Sequence, residues 1–202
     1  HEPVIYEASG RLGGALYEAG VPSFKDDDRA LIAWYAHTLE KLGVEIHFNH
    51  PLTAEELKTL EFDTLIVATG AKAKTFSLGD DRHVITAKDA LAQSGKNVGE
   101  HAVVIGGGVI GLEMACYFAS IGTKVTVIEM LPKIAGSTDP EICELLMRTY
   151  QKQGMDFCLN AKVEAITETG VIYSDAAGRH ELTCDRVLLS AGRRADVTGL
   201  QT

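Results

Sequence analysis

The segment 102–129 constrains the fold of this chain more than any other stretch. An apolar run, Ala102-Val103-Val104-Ile105, leads into Gly106-Gly107-Gly108-Val109-Ile110-Gly111. A longer apolar stretch then reaches Ile121, Gly122 interrupts it, and Lys124-Val125-Thr126-Val127-Ile128 ends on Glu129. Short apolar runs bounded by glycine read as strands, and the longer stretch reads as a helix over 109–121. Strand, glycine loop, helix and strand make one complete right-handed βαβ unit, which predicts a parallel sheet covered by helices. The unit cannot be a membrane span, because Glu113 and Lys124 interrupt it and charge at a bilayer centre is costly.

A loop of this kind lacks side chains where an anion would approach, and it opens a helix whose positive dipole end faces that anion. Gly106, Gly108 and Gly111 meet that need. Ala115 keeps helix and strand close, and Gly122 turns the chain into the next strand. Glu129 stands 23 residues after Gly106, where a carboxylate can accept hydrogen bonds from both hydroxyls of an adenosine ribose. Together these residues predict a dinucleotide site for NAD(H) rather than NADP(H). A 2′-phosphate beside Glu129 would meet a like charge, at a cost on the order of several kcal/mol. Glu129 by itself would read as a solvated strand-end acid; the loop makes it a clamp.

The rest of the chain sets broader bounds. With 202 residues, 46% of them hydrophobic and 23% charged, it has globular composition and room for two small domains. A net charge of -9 argues against nucleic acid as a partner, since that affinity rests on clustered Lys and Arg. Cys116, Cys143, Cys158 and Cys184 are 27, 15 and 26 residues apart, so no CxxC or CxxxxC pair exists, and a reducing cytoplasm is expected. The histidines show no metal-ligand spacing, so no metal is expected. His1-Glu2-Pro3-Val4 has neither a start methionine nor signal-peptide character, and reads as the interior of a longer chain.

Val4-Ile5-Tyr6-Glu7 reads as a strand ending in a second acid, followed by the loop Ser9-Gly10-Arg11-Leu12-Gly13-Gly14. A helix over 26–42 is predicted, with Asp26 to Asp28 supplying N-cap oxygens, Leu39 and Leu42 facing the core, and Gly43 as the stop. Val44 to Phe48 alternates as a strand, and Thr53-Ala54-Glu55-Glu56 reads as a capping box. Residues 62–68 are expected to form a buried strand closed by Thr69-Gly70. Residues 71–100 look polar and irregular, with a domain boundary near 94–99. Asp139-Pro140-Glu141 opens a helix to Gln153. The segments 156–166, 170–174, 180–183 and 185–190 read as strands, with a turn at 175–178.

These residues resemble the two-dinucleotide-binding flavoproteins, the pyridine nucleotide-disulfide oxidoreductases, in which an NAD(P) domain is inserted into an FAD domain. Val4 to Gly14 resembles the FAD domain after its first glycine loop, and Ala68-Thr69-Gly70-Ala71 its ATG motif. Val104 to Glu113, Lys124 to Glu129 and Ser190-Ala191-Gly192-Arg193 resemble the inserted domain and its exit. The implied fold class is α/β: a Rossmann-like NAD domain with a parallel sheet and a small antiparallel β-meander, set in an incomplete FAD-binding domain. The implied divisions are 1–95, 96–192 and a return segment 193–202.

By the same resemblance, NAD(H) lies over Gly106, Gly107, Gly108, Val109, Ile110 and Gly111. Glu129 holds its ribose, Val163 borders the adenine, and Gly192 and Glu113 stand at the nicotinamide end. Glu113 also reads as a first-turn acid favourable to the helix dipole. Glu7, Arg11 and Gly70 would touch FAD, which this chain is expected to hold poorly by itself, so it should be colourless. Gly20-Val21-Pro22-Ser23-Phe24-Lys25 resembles the flavin module behind old-yellow-enzyme-like enoate and 2,4-dienoyl-CoA reductases. Glu129-Met130-Leu131-Pro132 and Asp139-Pro140-Glu141-Ile142 resemble dihydrolipoamide dehydrogenase equally. The redox CxxxxC of that enzyme has no counterpart here, so the implied role is an NADH-dependent FAD oxidoreductase module passing electrons to a partner redox centre. Disulfide reduction and a non-catalytic nucleotide-binding module are the alternatives. The implied partners are further FAD, substrate or dimerisation domains of a longer protein.

Overall fold

The structure is a computed structural model that describes residues 1–200, and its chain forms two units, His1–Lys72 with Arg194–Thr202, and Ala73–Arg193. In the first unit β1 (Val4–Glu7) leads through α1 (Leu16–Ala19) and α2 (Asp26–Lys41) to β2 (Glu45–Phe48). The two strands pair in parallel, with Ile5 opposite Ile46 and Glu7 opposite Phe48. α3 (Ala54–Leu57) starts at the expected capping box, in which Thr53 and Glu56 bond reciprocally.

Three expectations for this unit are corrected. The N-cap of α2 is Lys25, without a side-chain cap bond, and Asp26, Asp27 and Asp28 occupy the first turn, where they act on the dipole alone. The buried residue of α2 is Ile32; Leu39 is half-buried and Leu42 is 71% exposed, because two short strands offer too little surface to cover the whole apolar stripe. Residues 62–68 form no strand and are exposed, Ile66 to 82%. A strand is a ladder, and none of the described residues pairs with this run.

β3 (Ala71–Ala73) carries the chain into the second unit. There β4 (Val84–Ile85), α4 (Ala87–Ala92), β5 (His101–Ile105), α5 (Val109–Ser120), β6 (Lys124–Ile128), α6 (Pro140–Lys152) and β7 (Asp156–Cys158) follow in order. β8 (Lys162–Ile166), β9 (Gly170–Asp175) and β10 (Gly178–Thr183) form an antiparallel meander, before β11 (Arg186–Leu189) returns to the main sheet. β12 (Arg193–Ala195) then pairs with β3. The main sheet has five parallel strands in the order β4-β11-β5-β6-β7.

Residues 71–100, read as irregular, in fact hold β3, β4 and α4. The missed signal was a second capping box, Thr86 with Asp89, which fixes the start of α4 and lets Ala90 and Leu91 be buried. The division between the units therefore falls at 72/73 rather than near 95, since β4 joins the main sheet through β11. The expected single strand over 156–166 is two. β7 belongs to the parallel sheet and β8 to the meander, and the chain switches sheets at Asn160, whose φ of 51° breaks the extended run.

The buried side chains are those of the apolar runs. Val103, Val104, Val125, Val127, Val187 and Leu188 are inside, each contributing about 1.5–3 kcal/mol by leaving water. The meander covers the sheet through Ala161, Ile166, Val171 and Cys184, and burial pushes the Cys184 thiol up to about 11. The span 102–129 is thus divided among strand, helix and strand, and among the described residues no helix is long and apolar enough to cross a membrane.

Candidate functional site

The strand order reverses between β5 and β11. From β5 the chain proceeds outward through β6 and β7, and it comes back on the other side of β5 as β11, which lies between β5 and the earlier strand β4. Ligands of open parallel sheets sit at the carboxyl ends of the strands at such a point. Register puts Ile105 opposite both Ile128 and Leu189, so Gly106, Glu129 and Ser190 leave the sheet side by side.

Gly106 has φ 106°, and a Cβ there would stand 2.5 Å from the carbonyl oxygen of Ser190. A Cβ on Gly111 would run into the Gly106 carbonyl oxygen, and 3.3 Å from it lies Ser190 Oγ. At Gly107 a Cβ would meet Glu129 and Ile134 at 3.3 Å. Gly108 differs: nothing lies within 4 Å of its Cβ position, so this side of the loop is an open cradle. Gly108 is the N-cap of α5 and makes no side-chain cap bond. The first N–H groups of a helix have no intrahelical partner, so those of Val109, Ile110 and Gly111 are left for a ligand at the start of α5.

Glu129 is half-buried and uses both oxygens. Gly107 N–H donates to Oε2 at 2.6 Å and Leu131 N–H to Oε1 at 2.8 Å. A carboxylate offers about four lone-pair positions, so two acceptor positions remain for a ligand. Ala135, with φ 60°, donates its N–H to Gly107 O at 2.8 Å, and buried Ile134 packs below the loop. Ala161 N–H donates to Glu129 O at 3.0 Å, and Val163, two residues on, packs on the buried group that contains Ile128.

The other expected residues lie outside the glycine loop in the chain. Glu113 is exposed on α5 beyond its first turn, so the first-turn dipole role is corrected. Its charge reaches Tyr150, whose phenol is raised first by burial, then by Cys116 and Glu113. Gly192, φ 97°, is exposed, and its carbonyl oxygen accepts Lys74 N–H at 2.9 Å. In the first unit Ser9 N–H and Oγ both donate to Glu7 Oε1 at 2.7 Å, and the Arg11 guanidinium lies 3.8 Å above the Tyr17 ring. Gly70, φ 83°, accepts Asp196 N–H at 3.0 Å.

Sequence reasoning missed Ser190, Leu131 and Ala135 as parts of the loop's frame. Ser190 was recoverable, since it follows the apolar run Val187-Leu188-Leu189 and so ends a parallel strand. Leu131 and Ala135 contribute only backbone N–H groups, which leave no mark on residue type.

Residues 49–202 match the family model described as pyridine nucleotide-disulphide oxidoreductase. The chain is similar to cinnamate reductase of Clostridium sporogenes, 32% identical over 95% of the chain and 29% of the relative. It is similar to bilirubin reductase of Mediterraneibacter gnavus, 30% identical over 100% of the chain and 32% of the relative. The solved structure of 2-naphthoyl-CoA reductase aligns with a TM-score of 0.84 at 28% identity, over 98% of this chain and 30% of that one. The chain thus spans about a third or less of the length of these relatives.

Proposed function

The chain belongs to the pyridine nucleotide-disulphide oxidoreductase family, and from that premise we propose that Ala73–Arg193 is the NADH-loading unit of an FAD-dependent oxidoreductase. The observation that carries the reading is the open cradle at Gly108 beside a glycine loop whose neighbour, Glu129, keeps acceptor capacity for ribose hydroxyls. Gly106, Gly107, Gly108, Val109, Ile110 and Gly111 frame the pyrophosphate, and Glu129 binds the adenosine ribose. Val163 borders the adenine, and Glu113 and Gly192 stand at the nicotinamide end. When bound, the nicotinamide supplies a hydride and FAD accepts it; the protein's part is to hold, orient and exclude water.

The first unit carries part of what FAD would need. Glu7 accepts Ser9 at Oε1 and keeps acceptor capacity at Oε2, Arg11 is stacked on Tyr17, and Gly13 and Gly14 lead into the four-residue α1. FAD is assigned to a longer polypeptide, with Glu7, Arg11 and Gly70 contributing to its pocket there. Cinnamate reductase, bilirubin reductase and 2-naphthoyl-CoA reductase each match nearly the whole chain, which favours a module that feeds electrons to a partner redox centre. Disulfide reduction ranks lower, because all four cysteines lie between 116 and 184, and all four are free thiols. Free thiols also favour a cytoplasmic setting.

The test is anaerobic mixing of the flavin-loaded longer polypeptide with NADH or NADPH, following the flavin colour. Bleaching by NADH in preference to NADPH is expected. NADH that binds without bleaching the flavin would instead make this a non-catalytic nucleotide module. The isolated chain is expected to be colourless.

A further inference from the structure

We infer that Glu129 is a positioning residue as well as a ribose ligand: its carboxylate fastens the glycine loop in its binding shape before any nucleotide arrives. The inference rests on the reading of this site as the NAD(H) site.

The Gly107 peptide is held at both ends. Its N–H donates to Glu129 Oε2 at 2.6 Å, and its carbonyl oxygen accepts Ala135 N–H at 2.8 Å. The other oxygen of the same carboxylate accepts Leu131 N–H at 2.8 Å, which ties down the start of the segment that carries Ala135. Glu129 is itself fixed by its backbone, N–H to Cys158 O at 2.9 Å and O from Ala161 N–H at 3.0 Å. One side chain therefore links the β5–α5 loop to the β6–α6 connection, on a base supported by the end of β7 and by the residue that precedes β8.

Two consequences follow. The Gly107 N–H is committed to Glu129, so the pyrophosphate is left to the N–H groups of Val109, Ile110 and Gly111 at the start of α5. A glycine-rich loop is also costly to order, since glycine loses the most backbone freedom of any residue. A loop already ordered by Glu129 spares the nucleotide that cost, so Glu129 strengthens binding even of ligands that never touch its carboxylate.

The charge of Glu129 makes this separable from ordinary electrostatics. Removing a carboxylate takes negative charge away from an anionic ligand, so Coulomb forces alone predict tighter binding in Glu129→Ala. Loss of loop order predicts the opposite.

The experiment compares ADP with 2′,3′-dideoxy-ADP, which keeps adenine and pyrophosphate but lacks both hydroxyls, by calorimetric titration of the 202-residue chain and of Glu129→Ala. Dideoxy-ADP is expected to bind the variant about tenfold more weakly than the native chain. Unchanged or tighter dideoxy-ADP binding overturns the positioning role, while loss confined to ADP leaves the ribose clamp standing. Equal affinity of the native chain for both ligands sinks the ribose clamp instead, and amide hydrogen exchange on the ligand-free protein then decides the positioning role. There Glu129→Ala should speed exchange at Gly107 and Leu131 together, and Glu129→Gln, with one oxygen, at only one of them. Protection at Val103 and Val127 should stay unchanged in both variants. Exchange at Gly107 that is unaltered, or altered only along with the strands, overturns the inference.

Discussion

Glu129 and Glu7 each end a parallel strand, and each accepts the backbone N–H of the residue two places on, Leu131 at 2.8 Å and Ser9 at 2.7 Å. Beyond that they part. The second oxygen of Glu129 reaches across to Gly107, on the loop of the adjacent strand, whereas the Glu7 contacts stay local, with the Ser9 hydroxyl on the same oxygen. Glu129 stands on a five-stranded sheet and Glu7 on a two-stranded one. Identical local signals thus give a framed acid in one unit and a self-contained turn in the other, and what distinguishes them is the non-local neighbour.

The comparison breaks most visibly at the glycines. Gly111→Ala forces a Cβ onto the Gly106 carbonyl, so we expect a loss of about 1–3 kcal/mol in urea unfolding and no measurable NADH binding. Gly108→Ala has open space, so stability should stay within about 0.5 kcal/mol while NADH affinity falls. Equal destabilisation by the two would refute the described loop.

A pH series sharpens the contrast between the cores. Cys184 rises in the folded state from 9.0 to about 11 because burial disfavours its thiolate. A raised acid contributes stability that is complete below the unfolded value and is lost as pH climbs through the folded one, here between about 9 and 11. The second unit should lose about 2 kcal/mol across that window, and Cys184→Ala should flatten the slope. The first unit, which has no cysteine, should show no such step.

The two acids give the next effect in size. Glu129→Ala should weaken NADH binding about tenfold, and Glu7→Ala should leave it unchanged. Comparable losses from both would erase the distinction. Last come the paired capping boxes: Thr86→Ala and Thr53→Ala should each cost about 1 kcal/mol, the first in the unfolding of the second unit and the second in that of the first.

The same divide explains what could be read from residues alone. β5, α5 and β6 were legible because periodicity, the glycine loop and Glu129 all lie within one contiguous βαβ unit. α6 was legible from Asp139 and Pro140, whose cap and first-turn roles are local chemistry. The run 62–68 was misread because its apolar residues fit a strand while strand formation depends on a partner elsewhere. Leu42 misled for the same reason: helical spacing says which face a residue shares, not what covers that face. The strand-end position of Glu129 was legible and its hold on Gly107 was not, since backbone N–H groups carry no residue code.

The most direct measurement is calorimetric titration of the chain with NADH and NADPH, repeated on Glu129→Ala. NADH should bind more tightly to the native chain, and the substitution should shrink that preference toward unity. Tighter binding of NADPH, or a preference that survives the loss of Glu129, would contradict the assignment of this carboxylate as the group that selects the nucleotide.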